Sequence, residues 1–391
     1  MFDLARKICR GAANLCNKAS EAKAIAKAKT VSAVEQLAKS DRAIAAKIGQ
    51  WDADKGLLNT PGGIIHVKIG ALQPHRREDY CTKITAVSPG GACPMFLDFL
   101  HTIFAGDNQL IDYIQIVLGY CLMGDIREHA MFFGYGTGAN GKGVLLSTVA
   151  GIMGDYCKTA HADTFTITGS NQHPTDVAGL MGARLVICPE VEQGRRWAEA
   201  KIKGLTGGDK ISARFMRQDF FEFTPQFKLF ITGNHKPGLR NVDEAMRRRF
   251  HLIPFTVTIP EADRDPLLAE KLKVEWPGIL AWMIEGAQRW YVEGLHKPQA
   301  VEDATREYLE AEDTLLAWIE DKCECGKSKY AAAGELFASW KAWTEQNGEF
   351  TGSAKAFYQK LKEHGFEGSH GRSGSTYSGI KLVVPESASW S

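Results

Sequence analysis

The chain has 391 residues, of which 44% are hydrophobic and 10% aromatic, so it can bury a substantial core and exceeds one minimal domain. Its 47 Lys and Arg residues balance 46 Asp and Glu residues, and no segment reaches the roughly 18 consecutive apolar residues that a membrane helix needs. These values favour two or three soluble globular domains and exclude a membrane-spanning protein. The N-terminus mixes Arg and Lys with apolar residues and has no signal-peptide core, so we expect a cytoplasmic protein.

The first segment, residues 1–50, is rich in Ala and carries a net charge of +6. Its apolar residues recur at a loosely helical spacing, which predicts one or two helices. The sequence leaves two interpretations of this basic surface open: a nucleic-acid contact or a solvated helical face.

Residues 51–125 are expected to form a mixed domain. TPGG at 60–63 and SPGG at 88–91 bracket short strand-like runs such as IIHVKI. From Met95 to Leu122 the apolar spacing becomes helical, which predicts a helical collar ahead of the next domain.

Residues 126–260 alternate short apolar runs (MFFGY, RLVIC, FKLFIT, HLIPF) with polar or helical stretches. This alternation predicts an α/β fold with a mostly parallel sheet. A helical extension is expected over 261–312. Residues 313–391 are expected to form a separate C-terminal domain of three helices and a Gly/Ser-rich hairpin.

A glycine-rich loop, GTGANGKG, directly follows the run MFFGY and directly precedes a helical run. A strand, a glycine loop and a helix together form a phosphate-binding arrangement, because backbone N–H groups and the helix N-terminus face the anion. Lys142 would reach the β- and γ-phosphates. The predicted ATP-binding residues are Gly136, Thr137, Gly138, Ala139, Asn140, Gly141, Lys142, Gly143 and Val144.

One position of this loop departs from the usual pattern. Gly143 stands where a Ser or Thr normally offers its hydroxyl to Mg²⁺. Ser147 lies about 6 Å further along the helix and is a poor substitute. Either water completes the metal shell or the site is weakened.

Carboxylates are expected at the end of a neighbouring strand. LVIC is followed by Pro-Glu190-Val-Glu192, which places two carboxylates on one face of an extended chain. We assign Glu190 to the metal and Glu192 to the attacking water, although the two roles could be exchanged. Asn234, which follows the run FKLFIT, can hydrogen-bond the γ-phosphate or the water.

Arg247, Arg248 and Arg249 follow two acidic residues. An arginine, often from a neighbouring subunit, stabilises the charge that develops on a transferring γ-phosphate. A surface cluster or a DNA-binding patch would have the same composition. We favour an arginine finger from this cluster.

These segments together resemble the superfamily 3 helicases, specifically the phage, plasmid and poxvirus primase-helicase group. The resemblance is carried by GTGANGKG, RLVICPEVEQGRRWAEAKIKGLTGGD, ISARFMRQDFFEFTPQFKLFITGNHKP and DEAMRRRFHLIPF. Upstream, WDADKGLLNTPGGIIHVKIGALQPHRREDYCTKIT is similar to the domain that precedes the ATPase in this group.

The resemblance implies a AAA+-like core that uses ATP and Mg²⁺, assembles into a hexameric ring and translocates on single-stranded DNA. It assigns phosphate binding to Lys142 and the glycines, metal and water to Glu190 and Glu192, and the sensor role to Asn234. The arginine finger it implies is Arg248 or Arg249. It also implies a hairpin that projects into the ring. Its DNA-contacting candidates are Lys210, Arg214, Arg217 and Gln218.

The C-terminal segment SAKAFYQKLKEHG has apolar residues at i, i+3, i+4 and i+7 and lysines on another side. The following GSHGRSGSTYSGIKLV predicts a β-hairpin wing, so we expect a winged-helix-like module. Lys355, Lys362 and Arg372 are its candidate DNA contacts. A structural lid or a partner-docking domain remains an alternative.

The sequence therefore predicts a ring-forming, ATP-dependent DNA helicase of phage or plasmid type, acting on single-stranded and forked DNA in the cytoplasm of a bacterial host. Asp52 and Asp54 do not lie on a strand-like run, so we expect no primer synthesis; the primase is then either a separate protein or has been lost. Two alternatives remain: a DNA-stimulated AAA+ loader or remodeller, and a non-catalytic DNA-binding subunit that Gly143 would permit.

Overall fold

The computed structural model describes residues 2–43, 46, 48–167, 175–192, 194–239, 242–312, 314–371 and 374–383. The chain divides into two compact units. Unit 1 comprises residues 1–54 and 76–82, and unit 2 comprises residues 55–75 and 83–391.

Unit 1 is a small helical bundle. Its buried cluster is made by Ala5, Cys9 and Val31, because small side chains let the first and third helices approach closely. Three helices form where the spacing predicted one or two, so that prediction was wrong in number. The breaks between them are LCNK (15–18) and AK (26–27). The helices are α1 (Phe2–Asn14), α2 (Ala19–Ile25) and α3 (Ala28–Ser40).

Unit 2 begins with a three-stranded antiparallel sheet followed by two helices. The TPGG segment forms the turn of the first hairpin, in which Thr60 pairs with Gly63. The two helices confirm the helical spacing predicted over 95–122. The second strand ends at His66 and is therefore shorter than the apolar run IIHVKI that predicted it. These elements are β1 (Leu57–Thr60), β2 (Gly63–His66), β3 (Ala71–Gln73), α4 (Pro94–Ile103) and α5 (Asn108–Cys121).

The centre of unit 2 is a five-stranded sheet in which every neighbouring pair is parallel. The predicted α/β fold is confirmed. Four strands match the predicted runs, and the fifth, Cys157–Thr159, was missed because an edge strand of three residues carries almost no periodic signal. The strands are β4 (Met131–Tyr135), β5 (Cys157–Thr159), β6 (Leu185–Cys188), β9 (Lys228–Gly233) and β10 (Phe250–Pro254), in the spatial order β10-β4-β9-β6-β5.

Helices and one hairpin complete this core. The hairpin strands β7 (Ile211–Ala213) and β8 (Phe221–Phe223) form a separate two-stranded sheet. The predicted helical extension over 261–312 contains the last three of the helices given next. The helices are α6 (Lys142–Met153), α7 (Thr175–Ala178), α8 (Glu199–Gly207), α9 (Glu244–Arg249), α10 (Leu268–Leu272), α11 (Trp276–Glu293) and α12 (Gln299–Ala311).

The two faces of the sheet are buried in different clusters, as expected for a parallel sheet covered on both sides. Phe132 and Phe230 pack with α4, α5, α6 and α11 on one face. Phe133 and Ile231 pack with α8 and α12 on the other.

Helices α5 and α11 cross at unusually close range. A Cβ at Gly119 would lie 2.1 Å from the backbone nitrogen of Ala287, and a Cβ at Gly286 would lie 2.0 Å from the carbonyl oxygen of Gln115. Only glycine permits this approach, which holds the collar helices against the core of unit 2.

The C-terminal module has the order helix, strand, helix, helix, strand, strand, and its sheet order β11-β13-β12 agrees with the predicted winged-helix-like fold. The first strand was missed, because CECGKSKYAA lacks a regular alternation of apolar and polar residues. Trp318, Trp340 and Phe357 form its aromatic core. Its elements are α13 (Thr314–Lys322), β11 (Cys323–Ala332), α14 (Ala333–Gln346), α15 (Ala354–Glu363), β12 (Glu367–Gly371) and β13 (Gly374–Leu382).

Across the part of the chain that the structure describes, every helix is too short or too polar to cross a bilayer.

A buried histidine makes the stability of the core depend on pH. The ring of His251 contacts the hydroxyl of Tyr113, and burial together with the charge of Lys297 holds the pKa of His251 well below 6.5. Below pH 6.5 the unfolded chain therefore binds a proton that the folded chain does not, and the free energy of unfolding falls as the pH falls.

From His251 alone we expect the free energy of unfolding to fall by about 1 kcal/mol between pH 6.5 and pH 5.5. Chemical denaturation at these two pH values, compared with His251→Asn, isolates the contribution, because Asn retains an acceptor for Tyr113 but does not titrate. If wild type and His251→Asn lost the same free energy of unfolding over this pH range, the assignment to His251 would be contradicted.

Candidate active site

Three segments meet at the carboxyl edge of the sheet. Strands β4 and β9 pair so that Tyr135 lies beside Gly233, and β6 pairs with β9 so that Cys188 lies beside Ile231. The glycine loop, the segment 189–192 and Asn234 therefore leave the sheet at the same edge, which is where open α/β sheets bind their ligands.

The loop conformation depends on its glycines. Gly141 has φ +81°, and a Cβ there would lie 2.4 Å from the side chain of Ile103. At Gly136 a Cβ would lie 2.3 Å from the carbonyl oxygen of Phe255. Helix α6 begins at Lys142 and directs its free N–H groups toward the loop. This arrangement can hold an anion.

Lys142 is buried and lies at the centre of the site. Its Nζ donates hydrogen bonds to Gly136 O at 2.7 Å, to Asn140 Oδ1 at 2.9 Å and to Asn234 Oδ1 at 3.3 Å. Burial lowers the pKa of the Lys142 ammonium, and the negative charge of Glu190 opposes that shift. The structure thus brings Lys142, Asn140, Asn234 and Glu190 together.

The two glutamates have different surroundings, although they are only two residues apart. Glu190 is exposed and interacts electrostatically with Lys142. Glu192 accepts hydrogen bonds from Arg195 at 2.8 and 3.2 Å, and Arg195 also pairs with Asp163 at 3.1 Å. Asp163 and Arg195 were not predicted from the sequence. Asp163 lies outside the segments that carry the resemblance, and nothing in the segment that contains Arg195 indicated an ion pair.

A cavity of about 630 Å³ borders the loop and is lined mainly by apolar atoms. Val144 and Gly141 line one side, Phe99 and Thr102 of α4 another, and Ile259 a third. Its size and lining suit a planar organic group. The sequence predicted Phe99 only as a core residue, since nothing in a helical apolar pattern separates a cavity wall from a core position.

The residues present can hold Mg²⁺ only together with a ligand. Among the described residues, no group of three or more His, Cys, Asp or Glu side chains could bind a metal. Mg²⁺ is commonly held by one carboxylate, substrate phosphates and water, and Glu190 beside the loop fits that pattern. Ser147 does not substitute for the missing hydroxyl, because its Oγ donates to Val144 O at 3.1 Å.

Gly143 lies in open space: beyond its chain neighbours and its own helix backbone, no heavy atom of the described residues would come within 4 Å of a Cβ at this position. We therefore expect Gly143→Ser to fold normally and to lower the Mg²⁺ concentration needed for half-maximal ATP hydrolysis, because the new hydroxyl can join the metal shell. A Mg²⁺ titration of phosphate release measures the effect.

The matched control is Gly141→Ser, which forces a positive φ on a side chain that collides with Ile103. It should lower stability and activity. An unchanged Mg²⁺ requirement in a folded Gly143→Ser protein would show that water already completes the shell.

The arginine cluster lies on α9, which is capped by Asp243. Arg249 donates to Thr206 Oγ1 and to Ala245 O within its own chain. Arg248 is exposed, and its guanidinium has no ion pair or hydrogen bond with any described residue. Among the described residues, neither Arg248 nor Arg249 bonds to the loop 136–141.

The predicted hairpin is present between Lys210 and Phe223. Strands β7 and β8 pair antiparallel, with Ala213 opposite Phe221. Arg217 lies at the tip with φ +62°, and the backbone N–H of Gln218 donates to Phe215 O. The side chains of the four candidate DNA contacts are all exposed; they are Lys210, Arg214, Arg217 and Gln218.

In the C-terminal module Lys355 and Lys362 are exposed on α15, while Phe357 and Leu361 are buried. The predicted wing is the hairpin of β12 and β13. Arg372 falls outside the described residues.

Two family models match the chain. A model described as D5 N terminal like matches residues 2–105. A model for a family of unknown function (DUF5906) matches residues 134–249, which include the glycine loop, both glutamates, the hairpin and the arginine cluster.

Curated relatives from large DNA viruses match as well. Proteins of Acanthamoeba polyphaga mimivirus and Frog virus 3 (isolate Goorha), each named "Putative helicase", are 26% and 24% identical over 262 and 287 residues, or 62% and 66% of this chain. The chain spans about a quarter of their length (27% and 28%). Neither relative comes from a phage or plasmid, so they provide no support for the bacterial host expected above.

A solved structure, the A form apo structure of the NrS-1 C-terminal region, superimposes with a TM-score of 0.51 and 12% identity, and the match covers 85% of this chain and 76% of the other. At this identity the likeness shows the fold alone. The sequence motifs, the D5 N-terminal-like segment and the parallel-sheet core point to one family. Together they support a protein of the superfamily 3 primase-helicase type.

Proposed function

We propose that this protein is an ATP-dependent DNA helicase whose active sites form between neighbouring subunits of a ring. One observation carries the proposal: Lys142, Asn234 and Glu190 converge at the phosphate-binding edge of the sheet, while the exposed Arg248 has no partner among the described residues of its own chain. The names of the viral relatives support a helicase-type activity.

The triphosphate binds across the loop and the N-terminus of α6. Its oxygens replace the neutral acceptors that Lys142 now contacts, and a charged acceptor makes the stronger hydrogen bond. This exchange releases Asn234 Oδ1, which can then orient the attacking water. The base lies in the cavity beside Phe99 and Ile259, where apolar walls cover its faces.

The two carboxylates have different roles in hydrolysis. Glu190, next to Lys142, would hold Mg²⁺ together with the phosphates, and the metal would supply positive charge to the transferring phosphoryl group. Glu192 accepts the proton of the attacking water. Its ion pair with Arg195 holds this carboxylate in a fixed position.

A neighbouring subunit completes the site. Arg248 reaches across the interface to the γ-phosphate and stabilises the charge of the transition state. The hairpin of each subunit contacts the single-stranded DNA. Hydrolysis of ATP at one interface therefore moves one hairpin together with the DNA that it holds. A hexamer is the ring expected for this family.

A strand-displacement assay on a forked DNA duplex tests the proposal, with phosphate release measured in parallel. We expect ATP-dependent displacement that requires a single-stranded tail. Rapid hydrolysis without displacement on either tail polarity would instead support a loader or remodeller, and no DNA-stimulated hydrolysis at all would support a non-catalytic subunit.

A further inference from the structure

The hairpin tip carries an exposed aromatic ring as well as charges. Phe220 is 59% exposed, although a phenylalanine normally gains stability by burial. Three other rings of the hairpin, those of Phe215, Phe221 and Phe223, pack against one another with centroids 5.6 and 6.1 Å apart. Phe220 is therefore the ring that this aromatic cluster leaves outside.

One face of the Phe220 ring is covered by a side chain of the hairpin. The guanidinium of Arg214 lies over it, 4.7 Å from the ring centre, which is within the range of a cation–π contact. Because the ring remains mostly exposed, the rest of its surface is open to a flat partner. Arg214 also places a positive charge directly beside the ring.

Charge alone gives this hairpin little attraction for a phosphate backbone. The basic residues Lys210, Arg214 and Arg217 are balanced by Asp209, Asp219 and Glu222. Proteins that hold single strands without sequence preference combine basic groups with aromatic platforms, and stacking is sequence-tolerant because every base has a π-face. An exposed ring next to two arginines fits that combination.

We propose that Phe220 stacks on a base of single-stranded DNA, with Arg214 bracing the ring and Arg217 contacting the neighbouring phosphate. This inference rests on the proposed function, since it describes how the hairpin holds its strand. It differs from pure backbone tracking, because part of the affinity then comes from the bases.

The test compares an oligothymidylate with a strand of equal length in which abasic sites replace the nucleosides and every phosphate is kept. Fluorescence anisotropy gives the affinities of the full chain with a non-hydrolysable ATP analogue at several salt concentrations. We expect wild type to bind the oligothymidylate about tenfold more tightly than the abasic strand. Phe220→Ala should lose this preference, and Phe220→Trp should keep it.

Two variants serve as controls. Arg217→Ala should weaken binding to both strands and lower the slope of log K against log salt by about 0.7 for each phosphate that the arginine neutralises, whereas Phe220→Ala should leave that slope unchanged. Met216→Ala removes a side chain that is 66% exposed but not aromatic, and should bind both strands like wild type.

Equal affinity of wild type for both strands would overturn the stacking inference and leave the helicase proposal intact. A loss in Phe220→Ala that is equal on both strands would also overturn it, because the ring would then act only on the shape of the hairpin. If wild type binds neither strand at low salt, the proposed function itself fails.

Discussion

Replacing Lys142 with Ala should abolish ATP hydrolysis, with a loss of at least about 100-fold in the rate of phosphate release. The Lys142 ammonium is the cation placed by β4 and α6 at the phosphate-binding edge, and a water molecule in its place cannot supply a fixed positive charge. Phosphate release with and without single-stranded DNA measures the effect.

The structure also predicts the thermal stability of Lys142→Ala. The hydrogen bonds of Lys142 go to the loop and to Asn234, so Lys142→Ala should unfold at nearly the wild-type temperature. A matched control is Lys158→Ala, which removes an exposed lysine from the edge strand β5 and should hydrolyse ATP normally. Undiminished phosphate release by Lys142→Ala would refute the catalytic assignment of the loop.

Replacing Arg248 with Ala should also abolish hydrolysis, but activity should return when this variant is mixed with Lys142→Ala. In a mixed ring, the intact Lys142 of one subunit meets the intact Arg248 of its neighbour. Random assembly creates this pair at about one interface in four, so we expect about a quarter of the wild-type rate if the interfaces act independently. Phosphate release across a series of mixing ratios measures the recovery.

Arg249 provides the comparison within the same helix. Because its guanidinium bonds to Thr206 and Ala245 of its own chain, Arg249→Ala should lower the unfolding temperature. Mixing with Lys142→Ala should not restore its activity. Full rescue of Arg249→Ala and none of Arg248→Ala would reverse the assignment of the finger. Absence of any complementation would argue against sites shared between subunits.

Much of the core could be predicted because its elements carry strong local signals. Each of β4, β6, β9 and β10 is a continuous apolar run, which is what a strand buried on both faces requires. The glycine loop could be located for a similar reason, since its φ values and close contacts admit few residues other than glycine.

Other elements lack such a signal. The edge strand β5 has three residues, and β11 mixes Cys, Glu, Gly and Lys, so both form through pairing with a neighbouring strand and not through their own pattern. The helices of unit 1 were undercounted because short polar breaks between helices resemble turns within a solvated helix.

By itself the sequence determined the order of the four long core strands, the parallel sheet and the identity of the groups that end these strands, because each is recorded in residues that are adjacent in the chain. Only the tertiary structure decided which acids and arginines lie near one another. It placed Glu190 near Lys142, tied Glu192 to Arg195 and separated the exposed Arg248 from the bonded Arg249. Lys142 begins α6 and Glu190 follows β6, and Arg249 of α9 bonds to Thr206 of α8, so these distances follow from packing, which no local pattern records. Glu192 and Arg195 are three residues apart in one loop, where no pattern in the sequence indicated that they pair.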